Sequence, residues 1–169
     1  MIIEKLEVAG IMASLEAMRL PHRSAKSTDS EWDWEVADAI RLGPNDKTLA
    51  QKLIGAGSCH SKFTRGIVAW FKTTGPWYWF NELDTYCVGR TPLSSTSSMH
   101  TECKGLTGEE LQAAKANIRG DYEYTRIWTA NYQCLRNMYH QRKHHRLPEW
   151  GEMCRSIETL PLAKELILI

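Results

Sequence analysis

The sequence predicts an α+β fold: a central, mainly antiparallel sheet flanked by helices. Three observations predict it. Residues 63–71, FTRGIVAWF, form an apolar, β-prone run centred on Ile67 and Val68, which reads as a buried strand. Gly75-Pro76 stops that strand, and Pro76 opens a helix over 76–86, because the first turn has no use for the missing N–H. Residues 128–146 carry the longest helical pattern, with Leu135 and Met138 on one stripe and Tyr139 and Arg142 beside it. A core strand thus feeds a core helix, which Gly89 closes before a loop of small hydroxyl residues, Ser94 to Ser98. That order builds one wall of a ligand pocket.

The remaining elements follow in chain order. Residues 2–8, IIEKLEV, partly alternate and read as a short strand. Residues 10–19 read as a helix with Ile11, Leu15 and Met18 on one face, ended by Pro21. His22 to Ser30 is a polar loop that reads as a solvated linker, with a mobile lid as the alternative, and Glu31-Trp32-Asp33-Trp34 leads into a short amphipathic segment through Ile40. Asn45 or Asp46 caps a helix bearing Leu49, Leu53 and Ile54, which Gly55 and Gly57 end. Thr107-x-x-Glu110 is a capping box for a helix reaching Ile118, broken by Gly120. Glu149 to Ile157 is a final helix. The apolar tail, LAKELILI, packs on a neighbouring element or subunit.

A chain of 169 residues is read as a single domain, 1–169, long enough to bury a real core. A net charge of +1 gives no basic field for nucleic acid. No apolar run is long enough to span a bilayer. Charges in MIIEKLEVAG sit where a signal peptide needs an apolar stretch, so a cytoplasmic protein is expected. The five cysteines form no C-x-x-C pair and read as reduced thiols. His100-x-x-Cys103 lacks a second half with ligand spacing, and His140 and His144, at i and i+4, read as surface residues. No metal is assigned.

Chemistry concentrates in three places. On the long helix, YHQRKHHR (139–146) presents Arg142, whose planar fork suits phosphate. The alternative is a solvated basic helix end. In the serine loop, hydroxyls and backbone N–H groups can cradle a phosphate, the alternative being an ordinary flexible loop. On the aromatic helix, Glu82 and Asp84 point to different sides and make no acid–base pair. A carboxylate at Glu82 needs a partner, and Arg65 and Arg90 are candidates. No catalytic residue is assigned: no Walker A, G-x-G-x-x-G, H-E-x-x-H, G-x-S-x-G or EF-hand pattern is present.

Over residues 46–157 these segments resemble the flavin-dependent (alternative) thymidylate synthases, particularly short phage-type members. The pieces are KLIGAG (52–57), FTRGIVAWF (63–71), PWYWFNELDTY (76–86) and SSTSS (94–98), then Trp128-Thr129-Ala130-Asn131 opening a long helix with Asn137 and Arg142 further along, and Trp150 on the next helix. The resemblance implies the thymidylate synthase-complementing-protein-like fold. It also implies nucleotide contacts at Arg142, Arg90, Ser95, Ser97 and Ser98, and flavin-side contacts at Arg65, Asn131, Asn137 and Glu82. The family's Arg-His-Arg-x-x-Ser signature is replaced by TYCVGRTPLSSTSSMH, and its arginine beside Asn131 is Gln133 here. FAD binding is therefore expected to be weakened.

Two functions are consistent with this reading. The resemblance implies methylation of dUMP to dTMP with FAD and a methylene-folate, in a homotetramer with sites at subunit interfaces. The alternative is a non-catalytic protein on the same scaffold, such as a phage-encoded sponge for a nucleotide or nucleotide signal in the host cytoplasm. Loss of the arginine cluster favours the second.

Overall fold

The structure, a computed structural model, describes residues 1–22, 28–33 and 39–169. Strand β1 (Ile2–Ala9) runs into helix α1 (Ile11–Arg19), with Gly10 at the joint. Gly10 has φ +86°, and a Cβ there would lie 2.1 Å from the Gly66 carbonyl oxygen, so no side chain fits. Strands β2 (Glu31–Asp33) and β3 (Ala39–Arg41) pair as a small antiparallel ribbon, followed by helix α2 (Pro44–Gly55). The linker residues 23–27 and the amphipathic stretch 34–38 lie outside the described residues.

The next strand begins later than the apolar run suggests. Lys62–Gly66 is a 3-10 turn, and β4 spans Val68–Pro76. The local cause is the hydroxyl of Thr64, which donates to the Ser61 carbonyl at 2.7 Å and holds the turn closed. Nor does Gly75-Pro76 stop the strand, because these residues still pair with Tyr124 and Glu123. Helix α3 (Trp77–Leu83) is correspondingly shorter than 76–86. Its first two N–H groups donate to the carbonyls of Tyr122 and Gly120, at 2.9 Å each, so the helix start is satisfied from across the chain.

Strand β5 (Arg90–Ser95) takes the first half of the expected serine loop. Helix α4 (Gly108–Ala116) follows Thr107, whose side chain makes no capping bond. Strand β6 (Glu123–Asn131) then claims Trp128 to Asn131, which the sequence reading assigned to the long helix. Tyr124, Thr125, Ile127, Trp128 and Thr129 are β-prone, and pairing to strands on both sides decides the matter. Helix α5 is limited to Tyr132–Arg142, and α6 (Pro148–Glu158) and α7 (Ala163–Leu166) complete the chain.

The main sheet is antiparallel with order β1-β4-β6-β5. Its centre is the β4/β6 ladder, where Phe71 stacks on Trp128 at 4.7 Å between ring centroids. The Trp128 indole N–H donates to the buried Thr73 hydroxyl at 3.1 Å. Alternate residues of β4, Ala69, Phe71 and Thr73, are fully buried against the helices. The apolar tail folds back as expected within this chain: Leu166 and Ile167 are buried in the core. Among the described residues no helix is long and apolar enough to cross a membrane, and no group of three or more His, Cys, Asp or Glu residues could hold a metal.

Outside the sheet, α1 and α2 are tied by a buried ion pair between the Arg19 guanidinium and Asp46. Asp46 is not a cap. Its side chain is fully buried and also accepts from the Thr28 and Ser30 hydroxyls at 2.6 Å each. The cap comes from Asp29, whose carboxylate accepts from the Asn45 and Asp46 N–H groups at 2.8 and 3.0 Å. Burial alone would raise the Asp46 carboxyl. The hydrogen bonds from Ser30, Thr28 and Arg19, together with the Arg19 charge, outweigh it and hold the group below its usual range. A carboxyl with a depressed native pKa stabilises the fold above its unfolded value, near ~3.9, and loses that contribution as pH falls through the native pKa. Asp46→Ala is expected to cost about 3–5 kcal/mol at neutral pH, because it removes the buried carboxylate that Arg19, Thr28 and Ser30 share. The gap between wild type and variant in urea unfolding should shrink as pH falls below about 4. A gap independent of pH would refute this account.

Candidate functional site

The candidate site grows from the end of α3 and the turn that follows it. Trp79 and Phe80 face the core and are fully buried. Trp79 meets Trp150 of α6 at 5.3 Å, so the aromatic run anchors α3 to α6. This leaves the acidic residues of the same segment on the rim. Glu82 accepts from Arg142 Nη1 and from the Trp150 indole N–H, both at 2.9 Å, and His145 Nε2 lies 3.6 Å away. The Glu82 partner is therefore Arg142, not Arg65 or Arg90. The Arg142 guanidinium also sits 4.6 Å over the Trp150 ring. Its Nε donates to the Tyr86 hydroxyl at 2.9 Å.

Asp84, two residues on, gathers a second cationic group. Its carboxylate accepts from Arg90 Nη2 at 2.7 Å and from Arg126 Nη1 at 3.0 and 3.2 Å. Arg126 comes from β6 and stacks over the Phe80 ring at 4.4 Å. Arg90 opens β5, and its side chain is only 4% exposed. Its Nε donates to the Tyr86 carbonyl at 3.1 Å. Tyr86 thus joins the two groups, accepting from Arg90 through its backbone and from Arg142 through its hydroxyl. Among the described residues, Arg90 Nη1 and Arg126 Nε are buried with no hydrogen-bond partner. Both arginines line a cleft of about 610 Å³ with Asp84, Cys87, Leu93 and Ser95. Two guanidiniums against one carboxylate leave its wall with one surplus positive charge. An unpartnered, buried guanidinium N–H beside a cleft of that size is suited to an anionic ligand.

The sequence-derived residues fall into separate places. Arg90 and Ser95 share the cleft. Arg142 lies in the Glu82 group. Ser97 caps a short turn, accepting from the Met99 N–H at 3.2 Å, and Ser98 is buried with its hydroxyl bonded to Lys115 Nζ at 2.5 Å. On the flavin side, Arg65 Nε is bonded to Gln133 Oε1. The Asn131 side chain caps α5, accepting from the Cys134 N–H at 2.9 Å. A Cβ on Gly89, where φ is +82°, would lie 2.7 Å from that amide, so Gly89 and Asn131 fit one another. Asn137 is exposed. Glu82 is thus occupied inside the chain, Asn131 uses its Oδ1 as a cap, and Arg65 is exposed with its Nε held by Gln133. Arg126 escaped sequence reasoning. Its only signal was a lone cation in a β-prone run.

No protein-family model matches the chain, and no curated protein matches it by sequence. Solved structures do match along its length. A crystal structure of flavin dependent thymidylate synthase ThyX from Helicobacter pylori complexed with FAD and dUMP has a TM-score of 0.75 at 16% identity, covering 99% of this chain and 98% of that one. The fold is that of the flavin-dependent thymidylate synthases. A second Helicobacter pylori ThyX structure with FAD and dUMP gives 0.73 at 17% identity, with the same coverage. A UMP/dUMP methylase, PolB from Streptomyces cacaoi, bound with 5-Br dUMP, gives 0.67 at 12%, covering 94% of this chain and 88% of that one.

On this ThyX-like frame the Glu82 group is a structural fastening that can be tested directly. Arg142→Ala removes a charge-assisted bond and the stacking on Trp150, and is expected to destabilise by about 1–3 kcal/mol. Lys143 is exposed, and Lys143→Ala should stay within about 0.5 kcal/mol of wild type. Urea unfolding followed by tryptophan fluorescence measures both. Equal, small losses would mean that Arg142 fastens nothing.

Proposed function

We propose that this chain binds a pyrimidine nucleoside monophosphate of the dUMP kind, with the phosphate at Arg90 and Arg126. The observation that carries this is the unpartnered Arg90 Nη1 beside the cleft, with a second arginine on the same wall. A dianionic phosphate can take up the spare N–H groups and the surplus charge together. Ser95 stands on the same wall to donate a hydroxyl. Pro92 and Leu93 offer the base an apolar surface. Arg142 takes part only if a ligand phosphate displaces Glu82, so its share of the binding energy is smaller. The protein acts as an assembly of identical subunits, a tetramer in this reading, because the exposed Trp77 and Tyr78 need cover.

A second reading is methylation of dUMP at the same place. The full-length likeness to FAD- and dUMP-bound ThyX and to a UMP/dUMP methylase favours it. The pairing of Glu82 with Arg142 and Trp150 inside the chain speaks for nucleotide binding without a tightly held flavin. Colour separates the two readings: a yellow protein with stoichiometric FAD after purification would establish the second.

Calorimetric titration of dUMP tests the site. Removing one partner of a buried charged contact costs about 2–5 kcal/mol, so Arg90→Ala should weaken binding roughly thirtyfold to several thousandfold. Arg126→Lys, which keeps the charge and loses the fork, should show an intermediate loss. Arg142→Ala should lose less than Arg90→Ala. The reverse order would move the phosphate to Arg142, and no dUMP binding by wild type would end the proposal.

A further inference from the structure

We infer that Asp84 is an internal counter-anion that keeps the arginine cleft closed to singly charged anions and yields its two arginines to a dianionic phosphate. This rests on the phosphate reading of the cleft above and adds a charge selectivity to that site. The Asp84 carboxylate accepts from Arg90 Nη2 at 2.7 Å through Oδ1 and from Arg126 Nη1 at 3.0 Å through Oδ2. It lines the same cleft as both arginines. The guanidiniums lie behind it: their side chains are 4% and 12% exposed, whereas that of Asp84 is 42% exposed. The carboxylate is the solvent-facing member of the group, and it stands where an arriving anion meets the cations.

Charge decides what happens when phosphate arrives. Two guanidiniums balance one dianion. A phosphate beside a retained Asp84 would set three negative charges against two positive ones, with like charges in close contact. The carboxylate is therefore the group that leaves. It can do so without moving the fold. Its backbone is fixed at the end of α3, where the Asp84 N–H donates to the Phe80 carbonyl at 2.8 Å, so rotation of the side chain into solvent is enough. The donors that Asp84 leaves unused, Arg90 Nη1 and Arg126 Nε, can serve the additional oxygens of a phosphate.

A dissolved monoanion gains nothing from the same exchange. Asp84 is tethered to the chain, so its effective concentration at the arginines exceeds that of a free anion carrying the same single charge. A free carboxylate would replace one set of bonds by an equivalent set and lose its own translational freedom. Phosphate brings a second charge and more acceptor oxygens, and so gains where the monoanion does not. Observed affinity is lowered by the fraction of time for which Asp84 occupies the arginines. Removing the charge of Asp84 should therefore tighten phosphate binding, the opposite of what loss of a supporting contact does.

The test is calorimetric titration of dUMP and of inorganic phosphate into the full chain, with thermal unfolding of the same proteins in chloride and in phosphate at equal ionic strength. Asp84→Asn, which keeps the shape and removes the charge, should bind phosphate at least about tenfold more tightly than wild type. Acetate should compete with phosphate in Asp84→Asn and not in wild type. Asp84→Glu, which keeps the charge, should show no such gain. Asp121→Asn removes a carboxylate that pairs with Arg119 and is absent from the cleft lining, so it measures the effect of net charge alone and should gain less than about twofold. In chloride, Asp84→Asn should unfold at a lower temperature than wild type, and phosphate should restore it, because the bound anion replaces the lost partner. Unchanged or weaker phosphate binding by Asp84→Asn, an equal gain in Asp121→Asn or Asp84→Glu, or acetate competition in wild type overturns the inference. So does an Asp84→Asn chain that fails to fold in phosphate as well as in chloride, which would make Asp84 a supporting contact. In each of these cases, dUMP binding by wild type leaves the nucleotide site standing. Tighter phosphate binding by Asp84→Asn, with no dUMP binding by wild type, keeps the role of Asp84 and ends the nucleotide reading.

Discussion

One carboxylate, that of Glu82, holds three helices in register. It projects from α3 and accepts from Arg142 of α5 and from the Trp150 indole of α6. Loss of that anion would leave Arg142, packed between Trp150 and Tyr86, with only the Tyr86 hydroxyl and the ring faces as partners and would weaken the fastening of α5 and α6 to α3. The aromatic run explains why the carboxylate stands there. Trp79 and Phe80 must face inward, and the helical repeat then turns Glu82 to the border between core and solvent.

The same geometry passes charge organisation to the neighbouring strands. Tyr86 is reached by Arg142 through its hydroxyl and by Arg90 through its carbonyl. Arg90 then shares Asp84 with Arg126. The cations alternate with carboxylates and a phenol, so that each guanidinium is partly satisfied by the fold. What remains unsatisfied in this network, Arg90 Nη1 and Arg126 Nε, belongs to two arginines that line the cleft. Buried polar groups without partners cost stability, and a ligand in the cleft would account for these two.

The sequence carried the fold class and most elements, and its errors have local causes. The strand–helix order around Pro76 was legible because apolar period and proline placement agree there. The start of β4 was missed because Phe63 and Thr64 are buried in a turn, and burial alone does not distinguish turn from strand. Trp128 to Asn131 was read as helix because the pattern of α5 extrapolates backwards into it. Only the partner strands at Phe71 and Pro92 reveal the ladder. Within the site, Arg90 and Ser95 were legible as a cation and a hydroxyl near one loop. Arg126 and the pairing of Glu82 with Arg142 were not, since they join segments more than forty residues apart.

The sheet order has a consequence for how this chain assembles. β6 lies between β4 and β5 and pairs with both. The β5/β6 ladder closes the shorter loops, Ser95 with Arg126 and Arg90 with Ala130, whereas the β4/β6 ladder joins Pro76 to Glu123 and Val68 to Asn131. Loop closure costs more as separation grows, so pairing of β5 with β6 is favoured ahead of the docking of β6 on β4. The wall that carries Arg90 and Arg126 belongs to that local step, and substitutions that weaken it weigh on the folding rate as well as on stability.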